Sequence, residues 1–353
     1  GAGVVLVLAH NWEDLSRPTR AGLAFGLLLA AQAATAWAVV RRRDSTAWIE
    51  ATSGALTLAV VATLALIMQT YHLSDDPRRI LLIWGLLVAP IPYLTGSRVA
   101  AAAVWPIACA WLISAPWWRE VADVRGFVLL TAATVPFLVH LARHHAGAAR
   151  TAIVGWSVGL ASVIAIPRIA DAGVDGLWIP MMVGFLGTLL AAGRSLETRG
   201  DAIRTWTLRP WTTTGTLGLA FLTFLLGFRE PWRELNDLAL PGDAGLLGFT
   251  VRATIALALV AIAAAAAVRA FRGGDRTVAA LAGTPVWASL GWLAMLATPG
   301  SSDAAVVAIV VVAHLATLAI GITACTEGCL LYTSDAADEY NPVEGGGGGG
   351  GVK

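Results

Sequence analysis

The feature that most constrains this chain is the recurrence of apolar segments about as long as a bilayer is thick. A hydrocarbon core of about 30 Å takes roughly 20 helical residues to cross, and lipid offers no water to satisfy a backbone that is not hydrogen-bonded to itself. Runs of this kind, bounded by clusters of Arg, Asp, Pro and Gly, fall at 1–10, 21–40, 47–71, 80–95, 99–115, 126–142, 151–170, 174–193, 214–228, 245–271, 277–297 and 303–326. The expected fold class is therefore all-α, a polytopic transmembrane helical bundle of about 12 spans. The first is read as truncated, because GAGVVLVLAH enters apolar sequence at Gly1 without a Met.

Composition excludes the main competitors. Apolar residues make up 57% of the 353 residues and charged residues 13%, a balance foreign to a water-soluble globule of this size. The net charge is +1 and the basic residues are scattered over many short segments, so nucleic acid is excluded as a partner and the lipid bilayer is the expected one. Positive charge is carried almost wholly by Arg, with Lys only at Lys353, and Ala is abundant, as in GC-rich bacterial genomes. Without a Lys before the tail no P-loop can form, and neither H-E-x-x-H nor C-x-x-C is present, so no cofactor is expected. Cys109, Cys325 and Cys329 supply neither a disulfide framework nor a metal cluster.

Arg placement orients the bundle, since basic loops stay on the cytoplasmic side. The even-numbered connections hold Arg41, Arg42 and Arg43, then Arg98, Arg143 and Arg150, then Arg194, Arg199, Arg204 and Arg209, and finally Arg269, Arg272 and Arg276. The odd-numbered ones carry most of the acids, among them Glu13, Asp14, Asp75, Asp76, Glu120, Asp171, Glu230 and Asp303. This parity predicts a multi-pass protein of the bacterial inner membrane with a cytoplasmic N-terminal side. Trp12, Trp48, Trp117, Trp118, Trp178, Trp206, Trp211 and Trp232 fall at span ends, where interfacial anchoring is their expected role.

Two segments resemble a known family: AHNWEDL, Ala9 to Leu15, and MQTYHLSDDPRRILLIWGLLVAP, Met68 to Pro90. Together they are similar to the bacterial predicted membrane proteins classed as domain of unknown function 2157, over about residues 1–115. Gln69, Tyr71, Leu73 and Asp76 match that family's pattern, while Met68 and Asp75 stand where it has glycines and His10 where it has Ala. The resemblance implies an integral membrane protein with a cytoplasmic N-terminal segment and no established activity. The expected organisation is this region at 1–115, further transmembrane helices at 116–328, and a disordered tail at 329–353. The tail is set aside because CLLYTSDAADE, Cys329 to Glu339, resembles the translation of a transposase sequencing adapter, and Gly345 to Gly351 a base-calling run.

Candidate sites follow from polar residues that lipid should disfavour. Asn11, Trp12, Glu13 and Asp14 after the first span, with Gln69, Tyr71, His72, Asp75 and Asp76 after the third, belong to one exterior face. There acids, amides and an imidazole can converge on a cation or a polar headgroup; interfacial capping and anchoring is the plainer reading. Glu50, Arg252 and His314 lie inside spans, where ionisable groups face the bundle interior, a partner or a pathway, or else snorkel to the nearest interface. His140 and His144 share a helical face beside His145 without an accompanying Cys or carboxylate, and no metal site is expected of them.

NWEDL at Asn11, PWWREVADV at Pro116 and PWRELNDL at Pro231 recur after spans one, five and nine, as a fourfold-helix repeat or as unrelated interfacial segments. Together with prolines at 90, 92, 106, 136, 167, 180 and 285, these features lean the functional expectation towards a small-solute or ion transporter. The alternatives are a membrane-embedded sensor or scaffold, or an enzyme acting on a lipid-linked substrate at the outer face.

Overall fold

The computed structural model describes residues 15–72, 76–114, 124–144, 151–170, 176–197, 209–233, 243–297 and 303–339. Among them all regular structure is helical: α1 (Arg17–Arg41), α2 (Thr46–Tyr71), α3 (Pro77–Val88), α4 (Ile91–Thr95), α5 (Arg98–Ile113), α6 (Arg125–His144), α7 (Ala152–Ala170), α8 (Trp178–Glu197), α9 (Pro210–Leu225), α10 (Glu230–Arg233), α11 (Asp243–Arg272), α12 (Arg276–Ala297) and α13 (Asp303–Glu339).

Local chemistry sets several of these ends. Ser16 caps α1, its Oγ accepting from the Thr19 amide, and Ser97 caps α5 by accepting from Ala100. Asp76 caps α3 through the Arg78 amide, with Pro77 as the first helical residue, where a missing N–H costs nothing. Pro90 lacks the N–H that would continue α3 and crowds the preceding turn, so the segment breaks there and restarts as α4. Gly96 then ends α4 at φ 72, a conformation that favours glycine, with its N–H on the Pro92 carbonyl.

Seven segments are long and apolar enough to cross a membrane: α1, α2, Pro77–Thr95 across α3 and α4, α7, Gly248–Arg272, α12 and Val306–Thr326. The expected count of about 12 is not reached on these grounds among the described residues. Length accounts for two of the missing spans: α5 has 16 residues, about 24 Å at the helical rise of 1.5 Å per residue, and α9 also has 16. The expected span at 1–10 lies outside the described residues. α13 runs on through Glu339 and meets no Gly or Pro between Gly328 and Pro342.

Helix directions alternate where contacts fix them. Thr63 donates to the Ala24 carbonyl and Thr35 to that of Thr52, which makes α1 and α2 antiparallel. Gly193 faces Thr212 and Gly215 faces Leu190, so α8 and α9 are antiparallel as well. Gly155 faces Pro210 and Gly159 faces Thr214, making α7 and α9 parallel; Gly184 faces Val260 and Gly187 faces Ala263, making α8 and α11 parallel. These are the directions that an alternating span map requires.

Two cores result. α5 sits at the centre of the first, packed by α2, α3, α4, α6 and α7, with Val88, Val104, Ile107, Leu112 and Leu130 buried. α8 sits at the centre of the second, packed by α7, α9, α11 and α12, with Ile179, Val183, Leu186, Leu190, Leu219 and Met295 buried. Trp232 on α10, expected as an interfacial anchor, is completely buried in this second core, its Nε1 donating to the Leu226 carbonyl at 2.7 Å. The turn after α9 folds the indole back under α12. Large apolar side chains are exposed on the outward faces, among them Phe25 and Leu29 on α1, Ile255 and Phe271 on α11, and Val311 and Leu315 on α13. Lipid is the environment in which such faces are stable.

Candidate functional site

The turn between α2 and α3 carries the described half of the expected exterior constellation. Gln69, Tyr71, His72 and Asp76 are all exposed there. His72 terminates α2 in the left-handed region at φ 49, its N–H on the Met68 carbonyl, and Asp76 Oδ1 accepts from the Arg78 amide at 3.0 Å. Both polar groups thus serve helix ends. Asn11, Trp12, Glu13, Asp14 and Asp75 lie outside the described residues, so their convergence on this turn stays an expectation. The contact behind the turn has no signature in the residue pattern: the Arg78 guanidinium stacks on Trp111 of α5 at 4.1 Å from the ring centre. That indole fits because residue 126 is glycine, where a Cβ would stand 2.5 Å from it.

The best-built polar arrangement is around Glu50, near the other end of α2. Its carboxylate accepts three hydrogen bonds from the start of α5: Ser97 Oγ at 2.6 Å, the Arg98 amide at 3.0 Å and the Val99 amide at 2.9 Å. Ser97 is fully buried and its Oγ in turn accepts from Ala100. A helix begins with amides that have no partner within the helix and with partial positive charge. Glu50 satisfies two of those amides from a neighbouring helix, with charge-assisted bonds of the stronger kind. One turn along, Gly54 lets α5 approach, a Cβ there lying 3.3 Å from Val99.

The other intramembrane candidates stand elsewhere. α2 packs on α1, α3, α4 and α5, whereas α11, which carries half-buried Arg252, packs on α8 and α12, and α13, which carries His314, packs on α9 and α12. The fold does not gather the three. His314 is exposed and its Nδ1 bonds the Val310 carbonyl of its own helix at 2.8 Å. His140 is exposed, the His144 side chain and His145 lie outside the described residues, and no three His, Cys, Asp or Glu gather as a metal site among the described ones.

Three features escape sequence reasoning. Arg168, buried near the end of α7, is hidden in the apolar run SVIAIPRIA. Arg194 of α8 pairs with Asp275, which also caps α12 through the Val278 amide. Gly155-Trp-Ser157-Val-Gly159 has the G-x-S-x-G pattern, yet it lies within α7 and not at the strand-to-helix turn that exposes a nucleophile. Ser157 Oγ donates to the Ala102 carbonyl of α5 and the glycines seat α9, so the motif is a helix-packing device.

Comparison with known proteins bears on one of these regions. Residues 1–101 match the family model described as Predicted membrane protein (DUF2157). No curated protein and no solved structure matches the chain. The DUF2157 match contains α1 to α4 and the first residues of α5, and so holds every member of the Glu50 clasp: 50, 97, 98 and 99. It also holds the α2–α3 turn with Gln69, Tyr71, His72 and Asp76. The family description and the apolar helices together make this an integral membrane protein with several membrane-crossing helices.

Proposed function

We propose that this protein is the membrane-embedded body of a sensor or scaffold, a bundle of about twelve spans in a bacterial inner membrane with its Arg-rich helix ends in the cytoplasm. The observation that carries this reading is the Glu50 carboxylate. A transporter needs intramembrane polar groups that are free to meet a solute, and Glu50 is committed to three donors of α5. His314 spends one ring nitrogen on its own helix, and Asp76, the described acid at the outer turn, is committed to the start of α3. Alternating helix direction supports the orientation, because it puts Arg41, Arg98, Arg194, Arg269 and Arg276 at the same end of the bundle.

The test is a cysteine-accessibility map of the full chain in a background without native cysteines, with a membrane-impermeant thiol reagent. Position 76 is expected to label from outside, position 272 only after the cytoplasmic face is opened, and positions 252 and 314 from neither side. Labelling of 252 or 314 through water would favour transport of a small solute or ion instead. Labelling of 76 from the cytoplasm alone would invert the bundle.

A further inference from the structure

We propose that the groove between the end of α9 and α13 is a binding site for a neutral lipid that carries a hydroxyl group. The groove measures about 640 Å³, the size of a site for a small organic molecule, and its walls include Phe224, Phe228, Leu318 and Ile322. An apolar wall alone would suit any acyl chain. What selects the occupant is the hydrogen-bonding character of the polar groups set into it.

His314 lines the groove beside Gly227. A backbone carbonyl only accepts, so the 2.8 Å contact with Val310 puts a proton on Nδ1, and in that tautomer Nε2 is an acceptor. Thr317 and Thr326 also line the groove, and each gives its hydroxyl proton to its own helix, to Ala313 at 2.8 Å and Thr323 at 2.9 Å. Apart from the weak Cys325 thiol, the groove therefore offers acceptors to whatever fills it. Its complement is an apolar body with a donor. A cationic donor is disfavoured at this depth, because charge in the hydrocarbon region is costly; a neutral hydroxyl is not. The scaffold reading is independent of this site, since that reading concerns water access and this one concerns a lipid.

The experiment uses the full chain in phosphatidylcholine vesicles with two photoreactive probes, a diazirine-bearing hexadecanol and its methyl ether, and maps the labelled peptides. The alcohol should label α13 about fivefold more than the ether, the factor expected of one net hydrogen bond. His314→Phe should bring the alcohol down to the level of the ether. Gly321→Leu, at a lining position where a Cβ meets nothing within 4 Å, should fill the groove and reduce labelling by both. Equal labelling by alcohol and ether in the natural chain overturns the proposal and leaves an ordinary lipid-facing surface. An alcohol preference that survives both substitutions overturns it too.

Discussion

The two cores solve one problem by different means. Between helices in lipid the hydrophobic effect supplies little attraction, so association rests on interhelical hydrogen bonds or on close backbone approach at small residues. Around α2 and α5 the hydrogen bonds prevail: Glu50 onto α5, Thr35 and Thr63 between α1 and α2, Trp84 Nε1 onto the Thr57 carbonyl, and Tyr93 onto that of Ala133. Around α8 the close approaches prevail, at Gly184, Gly187, Gly193, Gly215 and Gly218. The difference teaches where each half is vulnerable. A hydrogen-bonded contact loses one bond at a time, whereas a glycine contact against backbone fails with the first added carbon.

The largest effect should therefore come from Gly215→Ala. A Cβ at this position would lie 2.7 Å from the Leu190 amide nitrogen and 2.8 Å from the Leu186 carbonyl oxygen, both backbone atoms that cannot rotate away. A cost at the upper end for overpacking, about 3 kcal/mol, is expected, read as a fall in unfolding midpoint and in monodisperse yield in detergent. Gly283→Ala is its control: a Cβ there meets nothing within 4 Å, and alanine is the better helix former by about 1 kcal/mol. If the two substitutions behave alike, close approach does not hold the α8 core.

Next in size is the Glu50 clasp. Glu50→Ala leaves two amides at the start of α5 and the buried Ser97 hydroxyl without their acceptor, a loss of about 2–3 kcal/mol. Glu50→Gln keeps the shape but not the charge, and should cost about half as much. The readout is the same denaturation, together with hydrogen exchange at the Arg98 and Val99 amides, which should speed up in both variants. Unchanged exchange there would mean that α5 starts without help from α2.

Much of the helical map was legible in the sequence, and little of the packing was. The apolar runs from 21–40 to 303–326 each meet a described helix, because span length and backbone satisfaction are local demands. Glu50 stands out in any sequence reading as an acid inside a span. Its role did not, because its donors lie 47 to 49 positions away, on a helix whose approach depends on Gly54. Trp232 shows the reverse failure: its place at a span end suggested an interface, yet chain reversal after α9 buries it. Nor does the pattern of glycines distinguish Gly283, which touches nothing, from Gly215, which touches backbone.

The smallest expected effect sharpens the comparison most. Thr63→Val keeps the volume of a buried side chain and removes one hydrogen bond, from Thr63 Oγ1 to the Ala24 carbonyl at 3.0 Å. That carbonyl lies well inside α1 and keeps its ladder partner, so no acceptor is orphaned. Bonds of this kind between membrane helices contribute about 0.6 kcal/mol on average, and a shift of that order in the unfolding midpoint is expected. Trp84→Phe should cost slightly more, about 1 kcal/mol, since it also trims the indole. Combining Thr63→Val with Thr35→Val tests whether the α1–α2 bonds act singly: the sum of two small losses means independent contacts. A loss well above that sum means that α1, which packs chiefly on α2, detaches as a unit once both ties are gone.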